Sequence, residues 1–220
     1  MSSRYHENLW EAVAERSQPT DLPLRLTFAL EQLREASERA GAGAGASALP
    51  LRVLDLGCGE AQITAELARA GFDVLGVDVA EEPLRRARRA HPELDVRLVG
   101  ERDWPLADTS FDAVFSGETI EHVLDTIGWL SEVRRVLRSG GRLLLSTPAH
   151  GSLTLLGAAL SPRAFERRFD PRSDHVRFYS RRTLTRLLAE FGFEQIELRG
   201  VGGVPGARRV LLASAVRSRF

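Results

Sequence analysis

The segment Asp55-Leu56-Gly57-Cys58-Gly59-Glu60 sets carboxylates beside closely spaced glycines. Glycines so placed let a backbone turn sharply and come close to a ligand where a strand hands over to a helix. A dinucleotide fingerprint needs a small residue three positions after its second glycine, and Gln62 stands there instead. Asp55 and Glu60 beside the loop would also repel a pyrophosphate, so a ligand that is cationic or carries an ammonium group fits better. Asp78, in Val77-Asp78-Val79, follows about 20 residues on, the spacing at which a carboxylate accepts hydrogen bonds from ribose hydroxyls. A Gly-x-Gly alone can be a plain tight turn, and a strand-end aspartate can merely cap the next helix. Their coincidence on consecutive strands points to a nucleoside.

The elements that must position these residues follow from periodicity. Leu51 to Leu56 is a short apolar run, Ala61 to Ala70 repeats Ile63 and Leu67 at helical spacing, and Gly71 stops it. The alternation recurs with Phe72 to Val77 as strand, Glu81 to Ala90 as helix and Leu94 to Val99 as strand. Phe111 to Phe115 supplies a fourth strand, Thr126 to Arg138 a helix ended by Gly140 and Gly141, and Arg142 to Ser146 a fifth strand. Arg181 to Phe191 is a last helix, and Phe193 to Val201 and Val210 to Val216 pair antiparallel across Gly202 to Gly206. The pattern predicts an α/β protein, a doubly wound, Rossmann-like, seven-stranded and mostly parallel sheet with a C-terminal antiparallel strand. Ahead of it, a short helix around Asn8 to Glu15 and a longer one over Leu22 to Ala40 form an N-terminal helical cap. Gly41 to Ala48 reads as a linker, so that residues 1–48 stand apart from a domain over 49–220. Residues 148–180 have poor periodicity and read as an inserted lid.

Composition narrows the chemistry. All 30 basic side chains are arginine, which removes Schiff-base and P-loop lysine mechanisms. The net charge is zero, so no sequence-independent attraction to nucleic acid is built in and no nucleic-acid partner is expected. Cys58 is the lone cysteine, which excludes a disulfide within the chain and argues against a cysteine-based zinc site; no metal site is expected. No signal peptide precedes the first helix and no apolar run is long enough to span a bilayer, so the expected setting is the cytoplasm. Nothing in the pattern specifies an oligomeric state.

Val53 to Glu60 resembles motif I of the class I S-adenosylmethionine-dependent methyltransferases, and Asp78, followed by Val79, matches the acidic residue that family uses for the ribose. Gly100 to Phe111, containing Glu101, Arg102, Asp103 and Trp104, is similar to the family's adenine-contacting loop, one residue shorter than usual. Phe111 to Val123, through Ser116-Gly117-Glu118 and Glu121-His122, resembles motif IV. The stretch from Arg135 to Arg142 resembles the turn before the fifth strand. Ala61 stands where many members have a third glycine, and a slightly different loop is expected. The Glu121-His122 pair, Asp174-His175 with Phe178-Tyr179-Ser180, and Phe191-Gly192-Phe193 look most like the branch with ubiquinone-biosynthesis O-methyltransferases and natural-product enzymes.

The resemblance implies S-adenosylmethionine as cofactor, held by Asp55, Gly57, Cys58, Gly59, Gln62, Asp78, Val79, Glu101, Arg102, Ser116 and Glu118, and methyl transfer to a small molecule, first of all to an oxygen. A hydroxyl acceptor calls for a general base, for which His122, His150 and His175 are the candidates, each set against a plain capping or packing role. Tyr5 and Trp10 are suited either to closing over a nucleoside or to a surface helix simply docked by Trp10, and Phe165 and Tyr179 fall in the lid. Leu153 to Leu160 with the following arginines suits either a membrane surface or an apolar substrate pocket, and the pocket is favoured because the run is short. The competing readings are a nicotinamide-dependent oxidoreductase and a non-catalytic nucleoside-binding module.

Overall fold

A computed structural model describes residues 7, 10, 11, 21–44, 49–170 and 173–219. Its centre is a seven-stranded sheet of β1 (Arg52–Leu56), β2 (Asp73–Asp78), β3 (Asp95–Leu98), β4 (Phe111–Gly117), β5 (Leu137–Pro148), β6 (Phe193–Val204) and β7 (Ala207–Arg217), in the order β3-β2-β1-β4-β5-β7-β6. The strands β3 to β5 in that order are parallel, while β7 runs antiparallel to both β5 and β6. The tight Pro205-Gly206 connection forces that reversal, since a parallel return would need a crossover.

Strand residues alternate faces, and the two faces are covered by different helices. Leu54, Val114, Leu143 and Leu145 pack with α4 (Thr126–Val136) and α7 (Arg181–Glu190), through Trp129, Leu130, Val133, Leu184 and Leu188. Val53, Ala113, Phe115 and Leu144 point the other way, against Phe28 and Leu33 of α1 (Leu22–Ala44) and Ile63 and Leu67 of α2 (Gln62–Arg69). The third helix, α3 (Glu81–Ala90), closes the wing over Ala61 and Val96 through Leu84 and Ala87.

Several boundaries differ from the sequence expectation. The helix before the fifth strand ends at Val136 rather than Arg138, because Leu137 already pairs with Phe111 and the register then shifts at a bulge before Ala113. The sixth and seventh strands are longer than expected, because antiparallel pairing continues through the glycines from Val201–Val210 to Val204–Ala207. Helix α1 runs on through the Gly/Ala tract to Ala44, where the sequence reads linker from Gly41; alanine's high helix propensity offsets the glycines. The insertion between β5 and α7 holds α5 (Ser152–Ala159) and α6 (Pro162–Arg168), the latter capped by Ser161 accepting from Ala164 N. The short helix expected around Asn8 to Glu15 lies mostly outside the described residues. Among the described residues, no helix is long and apolar enough to cross a membrane.

Candidate functional site

The turn after β1 is built to admit a ligand. Gly57 and Cys58 donate their N–H groups to Val77 O at 2.8 and 3.0 Å, which draws the turn against the end of β2. Gly57 has φ +79°, and a Cβ there would lie 2.4 Å from Thr119 Oγ1. The Asp78 carboxylate accepts from Gly59 N at 2.9 Å and from Ala80 N at 3.0 Å, tying the glycine turn to the start of α3. Each carboxylate oxygen can accept further bonds. Ala61, where a third glycine is common, takes the left-handed conformation at φ +60° that glycine favours.

These turns border a cavity of about 330 Å³ beyond the carboxyl ends of the parallel strands, the place where doubly wound sheets bind ligands. Leu56, Gly57, Asp78, Val79 and Gly100 to Arg102 line it, with Trp10, Trp104 and Trp129 as aromatic walls and Glu118, Thr119, His122, Asp125 and Asp174 on the remaining side. Arg102 and Asp125 form an ion pair of 2.9 Å between lining residues. Trp104 and Trp129 meet edge to face with centroids 6.5 Å apart.

The cavity thus gathers Gly57, Asp78, Val79, Glu101, Arg102, Glu118, Trp10 and His122 from the sequence candidates. Asp55 is not on its wall. Strand alternation sends Leu56 to the cavity and Asp55 to the opposite face, where its carboxylate accepts from Thr64 Oγ1 at 2.6 Å. Burial pushes the Asp55 carboxyl up to about 6, against the pull of the Thr64 hydrogen bond. Glu60 is ion-paired with Arg86 at 3.1 Å. Contrary to the sequence expectation, neither carboxylate faces the ligand space as an unpaired charge that would repel a pyrophosphate. Ser116 is fully buried and donates to Leu56 O at 2.8 Å, which bonds β4 to β1. Gln62 lines a different cavity with Arg86 and Arg89, Cys58 packs by Gly76, and Gly59 lies under the Trp10 ring. Burial raises the Cys58 thiol well above its ordinary value.

The histidines separate. His122, at the end of the 3-10 turn Ile120–His122, sits on the cavity wall. Its Nδ1 lies 3.1 Å from Asp174 Oδ2 and its Nε2 4.0 Å from Glu121 Oε1. Burial pulls the His122 pKa down, but the Asp174 hydrogen bond and charge outweigh it and hold it above the ordinary value. Glu121 is fully buried; its Oε2 accepts from Thr147 Oγ1 at 2.9 Å, and its Oε1 has no hydrogen-bond partner. Burial, reinforced by the Glu118 charge, pushes the Glu121 carboxyl up to about 8. His175 is not on the cavity wall but meets the His122 ring edge to face at 4.8 Å. Burial and the His122 charge lower its pKa. His150 is elsewhere: its Nδ1 is 3.0 Å from Pro148 O and its ring rests on Phe178. Among the described residues, Glu121, His122 and His175 form a group whose ligand atoms lie within 4.8 Å of one another, close enough to share a cation.

Glu118 reaches the cavity from a left-handed backbone, φ +53°, fixed by its N–H on Ser146 O at 3.0 Å and by Ser146 Oγ donating to its carboxylate. Burial raises its pKa, while the cationic Arg25 of α1 opposes that shift. Phe165 is exposed and stacks near Phe169, which in turn meets Phe178; Tyr179 is buried, its hydroxyl 3.4 Å from Ile120 O. Tyr5 lies outside the described residues. Sequence reasoning missed Thr119, Asp125 and Trp129. Trp129 carried a signal in its helical spacing; Thr119 carried none, since its place on the cavity wall and against Gly57 is a tertiary contact.

A carboxylate at the end of the second strand, a glycine turn opposed by threonine and an aromatic-walled cavity at the sheet's switch point define a nucleoside-cofactor domain of the doubly wound class. The chain belongs to the family of methyltransferase domains, which its residues 19–198 match, within the class I S-adenosylmethionine-dependent methyltransferases. It is 31% identical over 161 residues to a ubiquinone biosynthesis O-methyltransferase of Dinoroseobacter shibae, covering 69% of this chain but 63% of that relative. A protein of the same name from Cereibacter sphaeroides is 30% identical over 190 residues, covering 81% and 74%. An S-adenosylmethionine-dependent methyltransferase from Mesorhizobium loti superposes with a TM-score of 0.61 over 83% of this chain and 98% of its own, at 22% identity. That likeness is one of fold. S-adenosylmethionine is the family's cofactor, and the Gly57 cradle beside Asp78 fits a nucleoside of that kind.

Proposed function

We propose that the chain methylates an oxygen of a small molecule, with His122 taking the proton that the acceptor hydroxyl releases. When bound, S-adenosylmethionine supplies an electrophilic methyl group on a sulfonium. Asp78 would hold the ribose, Glu101 and Arg102 would border the adenine, and the tryptophan walls would exclude water from the reacting groups. The carrying observation is the Asp174–His122 pair on the cavity wall: Asp174 engages Nδ1 at 3.1 Å, which leaves Nε2 as the basic nitrogen. The O-methyltransferases of Dinoroseobacter and Cereibacter to which the chain is similar support an oxygen acceptor. Exposed Leu153 and Leu156 on α5, Leu160 just after it and Phe165 on α6 support a lid that meets an apolar acceptor.

The test is turnover of S-adenosylmethionine with a panel of phenols and other hydroxylated small molecules, followed by mass spectrometry of the product. Methyl on oxygen, with a loss of about 10²- to 10⁴-fold in His122→Ala, is expected; tight cofactor binding with no transfer to any member would favour the non-catalytic reading. A second reading rests on the unpartnered Glu121 Oε1. With His122 and His175 it offers a carboxylate and two imidazoles, a donor set suited to a divalent transition ion. Such an ion, when bound, would lower the pKa of an acceptor hydroxyl. Chelator treatment that abolishes turnover, restored by manganese or zinc, would favour this reading over the histidine acting alone.

A further inference from the structure

We propose that Glu7 and Trp10 form a latch over the cofactor cavity, Trp10 as a wall touching the cofactor and Glu7, with Arg86, as the positioning residues that seat it; this rests on the S-adenosylmethionine reading of that cavity.

Helix α3 begins without a cap of its own. Its N-cap residue is Ala80, which has no side-chain oxygen, so the first-turn N–H groups need acceptors from elsewhere. Ala80 N is taken by Asp78 at 3.0 Å, and the next amides, Glu81 N and Glu82 N, donate to the two oxygens of Glu7 at 2.8 Å each. The ribose carboxylate and the latch carboxylate therefore sit on consecutive amides of one helix terminus, where the helix dipole favours negative charge. A residue more than 70 positions upstream thus supplies the acceptors that a local cap would give.

Arg86 supplies the second anchor. Its guanidinium is buried and donates to Trp10 O at 2.9 Å, to Glu60 at 3.1 Å and to Glu82 at 2.7 Å, joining the latch to the glycine loop and to α3. The Trp10 ring then rests on Gly59, where a Cβ would stand 3.0 Å from it, and lines the cavity beside Asp78. Gly59 N is itself bonded to Asp78. Trp10, Gly59, Asp78 and Glu7 are thus one connected unit, and a cofactor bound under Trp10 favours the latched form just as latching favours the bound cofactor.

The experiment compares wild type with Glu7→Ala, Glu7→Gln, Trp10→Ala and Trp10→Phe by calorimetry and stopped-flow with S-adenosylhomocysteine, and by hydrogen exchange at the amides of Glu81 and Glu82. Glu7→Ala should weaken binding about tenfold, through faster dissociation, with the melting temperature little changed. Glu7→Gln, which keeps a carbonyl acceptor, restores part of the loss, and Trp10→Phe keeps more affinity than Trp10→Ala. Without cofactor, exchange at the two amides should be faster in Glu7→Ala, and in wild type it should slow further when cofactor is added. Unaltered dissociation in both Glu7→Ala and Trp10→Ala, or amide exchange indifferent to cofactor, overturns the latch. A wild type that does not bind S-adenosylhomocysteine, yet whose amides respond to Glu7→Ala, marks failure of the cofactor reading; the cap then stands as a structural contact and the latch falls.

Discussion

At the scale of single residues, chemistry depends on which nitrogen and which oxygen are left available. Asp174 holds Nδ1 of His122, and its hydrogen bond and charge keep the imidazole pKa above the ordinary histidine value despite burial. A base must be neutral to accept a proton, so turnover should rise with pH along a limb centred above the ordinary histidine value of about 6.5. Asp174→Asn removes the charge and should move that limb to lower pH while lowering kcat about tenfold or more. An unmoved limb in the pH–rate profile would assign the titration to another group. Asp78 is the corresponding residue for binding: it accepts two backbone bonds and still faces the cavity. Asp78→Ala should abolish calorimetric binding of S-adenosylmethionine, and NAD should give no heat with the parent protein.

At the scale of elements, β1 and α2 show how one strand serves both ligand and core. Leu56 faces the cavity, while Asp55 is buried beneath α2 with Thr64 as its hydroxyl donor. The Asp55 carboxyl is raised from an ordinary 3.8 to about 6 by burial. Between those values the folded state holds more protons than the unfolded chain, so this group's contribution makes stability fall as pH rises through the interval. Urea midpoints for the parent and Asp55→Asn across that window should converge at low pH and separate as pH rises, the variant losing less. Thr64→Val leaves Asp55 without its donor and should cost about 1–3 kcal/mol, most of it at the higher pH where the carboxylate is charged. Equal losses at both ends of the window would assign the cost to packing.

At the scale of the whole molecule, the N-terminal helix is a layer of the fold. Phe28 and Leu33 of α1 are buried on the face of β4, β5 and β7, and Arg142 of β5 donates to Gln32 at 2.7 Å. Its Arg25 also bears on Glu118, so the same helix supports the core and the cavity. Leu33→Ala should therefore lower stability by about 2–5 kcal/mol in a single cooperative urea transition. A loss confined to local melting of the helix, with the sheet's transition unchanged, would make α1 an independent appendage.

The sequence by itself determined the parallel wing, the glycine turn and Asp78, because alternating apolar periods and strand-end glycines are local signals that need no distant partner. The insertion between β5 and α7 was legible only as irregular, since helices as short as α5 and α6 carry little periodicity. Tertiary structure alone decided which candidates meet. Asp55 and Leu56 are neighbours in the chain, yet the strand period sends one to the core and the other to the ligand space. Asp174 and His122 are 52 positions apart and within 3.1 Å, because the backbone of Val176 and Arg177 bonds to Glu121 O. Glu7 caps a helix that begins more than 70 residues later. Such contacts follow from how the chain closes upon itself, and a pattern read along one strand of sequence has no term for the distance between two segments that the fold brings together.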